Sequence, residues 1–241
     1  RKSSVRKKMM QFLVEGEREV ERALLQGYEL LEIFFVGELP KSFDSLITAD
    51  SKQPVNQEVF EKLVVRATGV NCIGIFRYRS RSLKNVITSE NPCLIAVEGV
   101  EKPGNLGAVV RTADAIGADA VLVIDAMIDI YNPNVIRASL GTIFSVPTFS
   151  LGFDDVIELI RSRGLKVVST WPLAEKRYAD VDFKGPLLMA FGAEDTGLGD
   201  RWRSISDNCV AIPMRGLADS LNLSVAMGVV AFEAIRQRIN G

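Results

Sequence analysis

Three stretches of this chain are apolar without interruption and only four to six residues long: Leu94-Ile95-Ala96-Val97, Val121-Leu122-Val123-Ile124 and Pro186-Leu187-Leu188-Met189-Ala190-Phe191. A strand with one wet face alternates polar and apolar residues. Strands of this kind have no wet face and belong inside a sheet covered on both sides. Lys166-Val167-Val168-Ser169-Thr170 and the short Val210-Ala211-Ile212 read as further members. Helical patterns alternate with them: residues 105–117, Asp154 to Arg163 with Gly164 as its end, and Leu221 to Arg238. Regular strand–helix alternation of this type predicts an α/β fold with a parallel sheet from Cys93 onward.

The region before Cys93 has a different texture. Residues 9–80 read as a small α/β unit, with an amphipathic helix predicted over Phe12 to Gly27 and a strand over Leu31 to Val36. Gly37 and Pro40 close that strand. Gln57 to Arg66 suits a short helix and Val70 to Phe76 a second strand. The expected organisation is a basic arm and small domain at 1–80, a linker at 81–92 ending in Asn91-Pro92, and the main domain at 93–241.

The 241 residues contain no histidine, which excludes a histidine base, a Ser-His-Asp triad and a histidine metal ligand. Proton transfer must use Asp, Glu, Lys, Tyr, Arg or solvent. Cys72, Cys93 and Cys209 are scattered and odd in number, so neither a disulfide framework nor a Cys-rich zinc site is expected. That usage fits a reducing, cytoplasmic setting. No apolar run is long enough to span a membrane. Arg1-Lys2-Ser3-Ser4 lacks Met, reads as a trimmed or processed start, and leads into no signal-peptide core. The net charge is −1, so any nucleic-acid contact must come from local patches.

Three blocks carry candidate chemistry. The first, Asn105-Leu106-Gly107-Ala108-Val109-Val110-Arg111, follows strand 94–97 in a unit of dinucleotide-binding size, but it has no G-x-G-x-x-G to cradle a pyrophosphate. An NAD site is therefore disfavoured. Gly107 reads as a place where the helix packs closely on the sheet. Arg111 sits among apolar neighbours; it is either buried, needing an anion or carboxylate, or on a polar outer face. The second block is Gly192-Ala193-Glu194-Asp195-Thr196-Gly197-Leu198, beyond the carboxyl end of a strand, where ligands of such sheets sit. Glu194 is a partner for Arg111 or a cationic ligand, or else an ordinary acidic residue at a helix entry. The third, Ile212 to Ser224, runs from a loop into a helix apolar on most of its surface through Val225, Ala226, Val229, Val230, Ala231 and Phe232. Ser220 and Asn222 stand at its entrance, with Asp219 or Ser220 as the plausible cap.

Basic residues cluster twice. Arg1, Lys2, Arg6, Lys7 and Lys8 form an N-terminal arm; Arg77, Arg79, Arg81 and Lys84 form a second run interleaved with Phe76 and Tyr78. Such runs hold phosphates and stack on bases, or protect a sheet edge by charge.

The three blocks, in this order, resemble the signature motifs of the SpoU (TrmH-type) RNA ribose methyltransferases of the SPOUT superfamily. Asn105, Gly107 and Arg111 match the first motif. Gly192, Glu194, Gly197 and Leu198 match the second; Ile212, Pro213, Met214, Gly216, Ser220, Leu221, Asn222 and Ser224 match the third. Asn132-Pro133 through Arg137-Ala138-Ser139 and Gly141 is a further family-like stretch. Phe12-Leu13-Val14-Glu15-Gly16 is similar to the opening of the ribosomal-protein-like RNA-binding domain that many such enzymes carry. The resemblance implies a SPOUT-type sheet with a C-terminal deep trefoil knot, S-adenosylmethionine as cofactor, pairing of two subunits, and methylation of a ribose 2′-hydroxyl of ribosomal or transfer RNA, ribosomal RNA being favoured. It implies no metal. It assigns Arg111, Glu194, Ser220 and Asn222 to catalysis and Thr170, Phe191, Gly192, Ile212, Met214 and Leu221 to the cofactor. Asn105, Arg137, Arg6, Lys7, Lys8, Arg77 and Arg79 are the expected RNA contacts. Base-nitrogen methylation and a non-catalytic RNA-binding or ribosome-assembly factor are the competing readings.

Overall fold

A computed structural model describes residues 3–65, 69–79 and 82–239. Arg1, Lys2, Arg66 and Arg81 lie outside the described residues. The chain opens with helix α1 (Ser3–Met9), then β1 (Gln11–Glu15), α2 (Glu17–Leu25), β2 (Leu30–Phe35), β3 (Lys52–Pro54), α3 (Gln57–Leu63) and β4 (Cys72–Arg77). These strands form a four-stranded sheet in the order β1-β4-β2-β3. The single helix expected over Phe12 to Gly27 is therefore a strand followed by a helix. Phe12 and Val14 alternate inward with half-exposed neighbours, a period of two. Gly16 then takes φ 97°, a left-handed conformation that ends the strand and starts α2. The expected linker holds a short helix, α4 (Leu83–Val86).

The second sheet has seven strands, all parallel, ordered β7-β6-β5-β10-β8-β11-β9. In chain order the elements are β5 (Cys93–Glu98), α5 (Pro103–Ala115), β6 (Ala120–Ile124), α6 (Pro133–Ala138), β7 (Thr148–Leu151), α7 (Phe153–Arg163), β8 (Lys166–Thr170), β9 (Lys176–Arg177), β10 (Leu187–Gly192), β11 (Asn208–Ala211) and α8 (Leu223–Ile239). Every residue of β5 and β6 is buried, as uninterrupted apolar runs require. Ile95 and Val97 face the layer built by α5 and α8, while Leu94 and Ala96 face α7. Each buried Leu, Ile or Val of this kind contributes about 1.5–3 kcal/mol. Gly164 caps α7 at φ 58°, as its place in the sequence predicts.

Two expectations about the helices change. A Cβ on Gly107 would fall on Ala138 and on the backbone of Val135 and Ser139, so this glycine brings α5 against α6 and not against the sheet. Helix α8 buries Leu223, Met227, Val230, Ala231 and Ala234, but Val225 and Phe232 are about half exposed. It is sheathed on one side only and keeps an apolar outer stripe.

The two sheets share one core. Phe12 stacks on Tyr131 with centroids 4.4 Å apart, and Tyr28 packs edge-on to Phe144 at 5.1 Å. Beside this seam Arg6 pairs with Asp129 at 2.6 Å, both side chains 5% exposed.

Candidate functional site

In a parallel sheet every strand ends at the same edge, and loops there can face one another. Strands β8, β10 and β11 end around a cavity of about 340 Å³. Thr170 and Trp171 form one wall, Phe191 to Gly197 another, and Ile212, Met214, Ser220, Leu221 and Leu223 the third. All six residues expected to hold a cofactor, Thr170, Phe191, Gly192, Ile212, Met214 and Leu221, line this one space, as do Glu194 and Ser220. They come from segments as far apart in sequence as Thr170 and Leu221, brought together because β10 inserts between β5 and β8. The lining is largely aliphatic and aromatic with a few polar groups, the character of a small-molecule site, and the volume lies at the lower end for such sites.

Gly192 shapes the cavity. The loop after β10 folds back through an Ala193–Gly197 bridge, with Gly197 N–H donating to the Ala193 carbonyl at 2.9 Å. A Cβ on Gly192 would fall on the backbone of Gly197 and Leu198. No other residue leaves room for that fold-back. Gly197, at φ 66°, supplies the left-handed turn that closes it.

A polar cluster stands at the rim. Glu194 accepts from Lys102 Nζ at 3.0 Å and from Asn222 Nδ2. The same Asn222 amide donates to Asn105 Oδ1 at 3.1 Å, and its own Oδ1 accepts from Ser224 N–H at 3.0 Å and Ser224 Oγ at 2.7 Å. Asn222, not Asp219 or Ser220, therefore caps α8. The Lys102 ammonium, helped by the amides of Asn105 and Asn222, holds the Glu194 carboxyl below its usual range, and Glu194 in turn raises Lys102. Asn105, expected as an RNA contact, belongs to this cluster. Lys102 was not foreseen, although it directly precedes the first block. Neither was Trp171, although the rule that ligands sit past strand ends points at the residue after Thr170.

Arg111 is placed differently from one of its two readings. It is exposed, because Leu106, Val109, Val110 and Ala113 take the buried side of α5. It does not line the cavity, and Glu194 pairs with Lys102 instead of Arg111.

The expected RNA contacts divide. Lys7, Lys8, Arg77, Arg79 and Arg137 are exposed. Arg77 pairs with Glu29 at 2.7 Å, Arg79 donates to the Gln26 carbonyl at 2.8 Å, and Arg137 donates to Asn134 Oδ1 at 2.8 Å. Arg6 is not available to a nucleic acid, since its guanidinium is buried against Asp129. Nor do the aromatics of the second run offer stacking faces. Phe76 is fully buried and stacks on Phe12 at 5.8 Å. The Tyr78 hydroxyl donates to Asp129 Oδ2 at 3.3 Å, and burial first, then the Asp129 charge, pushes it up to about 12. The alternation of Phe76, Arg77, Tyr78 and Arg79 is the two faces of a strand and its continuation, one inside and one out.

Among the described residues no group of three or more His, Cys, Asp or Glu is placed to hold a metal, and no helix is long and apolar enough to cross a membrane.

Residues 92–232 match the family model of the SpoU rRNA Methylase family, and residues 1–74 match that of the MRM3-like substrate binding domain. The chain is 29% identical to the 23S rRNA (uridine(2479)-2′-O)-methyltransferase of Streptomyces viridochromogenes over 96% of its own length and 84% of that enzyme. It is 40% identical to the 23S rRNA (guanosine-2′-O-)-methyltransferase RlmB of Pseudomonas putida over 63% of its own length, and there spans 61% of the relative. Its fold superposes on the SpoU methyltransferase AviRb from Streptomyces viridochromogenes, solved in complex with AdoMet, with a TM-score of 0.90 at 27% identity, covering 100% of this chain and 95% of that one.

Proposed function

The chain belongs to the SpoU rRNA Methylase family, and from that premise we propose that it transfers a methyl group from S-adenosylmethionine to a ribose 2′-hydroxyl of RNA, ribosomal RNA before transfer RNA. The observation that carries the reading is the cavity at the ends of β8, β10 and β11, where six residues picked for the cofactor share one wall system. Its largely apolar lining with a few polar groups suits a nucleoside, and the Gly192 fold-back is a cradle that a side chain would fill.

The cofactor supplies an electrophilic methyl carbon bonded to a sulfonium, which departs as a neutral thioether. The residues of this chain must hold the attacking hydroxyl in line and take up its proton. Ser220 lies in the cavity wall and Asn222 at its rim, positioned to orient the ribose or the sulfonium end. Glu194 fixes Asn222 in turn. Arg111, always charged, suits a phosphate of the target nucleotide and the negative charge developing on the 2′-oxygen. Its exposed place on α5 requires the RNA, or a second subunit, to complete that contact. A homodimer is part of the proposal, supported by the apolar stripe of Val225 and Phe232 and by exposed Met214 and Leu217 beside the cavity loops. A deep trefoil knot is supported by the insertion of β10 between β5 and β8 and by the return of α8 onto α5. Action on ribosomal RNA, and three cysteines in no disulfide, favour a cytoplasmic location.

Calorimetric titration with S-adenosylmethionine, with NAD as control, tests the reading: micromolar binding of the first and none of the second is expected, and no binding of the first overturns it. Arg111→Ala is expected to abolish methyl transfer to ribosomal RNA while leaving cofactor affinity nearly intact. Wild-type turnover in that variant would remove Arg111 from the mechanism.

A further inference from the structure

We propose that Glu98 is the positioning residue of the cofactor cavity, gripping both ends of the loop that forms its wall. This rests on the reading of that cavity as the S-adenosylmethionine site. Glu98 closes β5, one of the buried central strands, and its side chain is 11% exposed. Its backbone pairs with Gly192, where the loop leaves β10. Its carboxylate reaches the other end: Oε2 accepts from the Gly199 N–H at 2.7 Å, and Oε1 accepts from Arg201 Nε at 2.9 Å and from Arg201 Nη2. One residue thus fixes where the loop departs and where it lands. Gly99, at φ 69°, turns the chain away so that Ala193 and Thr196 can lie against it.

Arg201 extends the clamp. It also binds Asp125, which ends β6 in a left-handed conformation at φ 49°. Its guanidinium lies over the Phe153 ring, 4.1 Å from the centroid. The ends of β5 and β6 and the start of α7 are therefore tied through Arg201 to a loop that carries Glu194 and lines the cavity from Gly192 to Gly197. A carboxylate that is nearly buried and satisfied by three donors has one geometry, and so does the wall it holds. The side chains of Glu98, Arg201, Asp125 and Phe153 do not line the cavity. Glu98 and Arg201 act through the loop, not on the ligand.

The test is a double-mutant cycle with Glu98→Gln and Arg201→Met, probed with S-adenosylmethionine by calorimetry and by hydrogen exchange without ligand. Each single variant is expected to raise Kd by about tenfold. The double variant should be no worse than the worse single, because the two side chains act as one unit. In steady state, KM for the cofactor should rise while KM for ribosomal RNA holds. Glu98→Asp, which keeps the charge, should recover part of the loss. Amides 193–199 should exchange faster in both variants with the rest of β10 unchanged. Arg201 is 41% exposed, so its variant serves alone if Glu98→Gln does not fold. Unchanged Kd and unchanged exchange at 193–199 would overturn the proposal, as would strictly additive losses. A wild-type protein that fails to bind S-adenosylmethionine would overturn the cofactor reading, and the exchange data would still decide whether Glu98 holds the loop.

Discussion

The cavity rim and the N-terminal lobe put short runs of conspicuous residues to opposite uses: the rim turns them toward one cavity, and the lobe turns several of them into its packing. At the rim, six residues expected around a cofactor line one space. In the lobe, Arg6, expected to meet RNA, and Phe76 and Tyr78, the aromatics interleaved with the second basic run, are struts of the seam between the sheets. The rim blocks set glycines and small polar residues among apolar ones in fixed order, and their use depends on backbone geometry that such an order dictates. The basic runs were read from composition. Composition says which charges are nearby but not which way each side chain points, and in β4 the direction alternates with every residue.

The sharpest way to break that contrast is Gly192→Ala. If the rim is set by backbone geometry, one methyl group must push the Gly197–Leu198 segment outward. We expect S-adenosylmethionine affinity to fall by about a hundredfold, roughly 2.8 kcal/mol, with far-ultraviolet circular dichroism unchanged. Binding within threefold of wild type would mean that the fold-back is not what shapes the site.

Next in size is the seam. Arg6→Ala leaves Asp129 buried and uncompensated, and unfolding free energy from urea titration should drop by about 3–5 kcal/mol. Lys7→Ala, one residue on and exposed, should stay within about 0.5 kcal/mol. If Arg6→Ala instead weakened RNA binding without touching stability, the lobe would have been read correctly from composition after all.

These two variants also mark how much could be read in advance. The parallel sheet was legible because β5, β6 and β10 carry uninterrupted apolar runs with no polar face for water. The cavity was legible because its residues stand at strand ends. What stayed hidden depends on distant partners. Nothing near Arg6 in the chain announces Asp129, more than a hundred residues on. Nothing around Phe12 shows that it stacks on Tyr131 and belongs to a strand, since Gly16 alone separates that strand from α2. Arg111 stayed ambiguous because its face on α5 is decided by which neighbours the sheet claims. The exposed side of α8 has the same cause: an apolar helix reads as buried all round until one counts the layers available to bury it.

A smaller effect sharpens the lobe's other half. Arg79 and Lys7 remain exposed, so their contribution to RNA should be electrostatic and independent of sequence. Arg79→Ala and Lys7→Ala are each expected to weaken binding to ribosomal RNA a few-fold. Each should reduce the slope of log affinity against log salt by about 0.7–0.9, without moving the melting temperature. A slope unchanged in both would place the RNA on another face.

The smallest expected effect is none at all, and it returns to the rim. With no histidine in the chain, no side chain with an ordinary pKa titrates between about pH 5 and 7. Glu194 lines the cavity together with Asp195 and Asp219. Lys102 holds the Glu194 carboxyl below the usual carboxylate range, so the Lys102–Glu194 pair is lost only as pH falls through the depressed folded pKa. Burial pushes the thiols of Cys72 and Cys93 up, to about 12 and about 11, and removes them from the window. Calorimetry at pH 5, 6 and 7, in buffers of different ionisation enthalpy, should therefore give a constant Kd and no net proton uptake. A change beyond about threefold would mean that a carboxylate at the rim is raised in the complex, which requires the ligand to displace Lys102 from Glu194 and leave that charge desolvated. That result would turn Glu194 from a fixed part of the wall into a group the ligand rearranges, and the rim would then be no better specified by its sequence than the lobe.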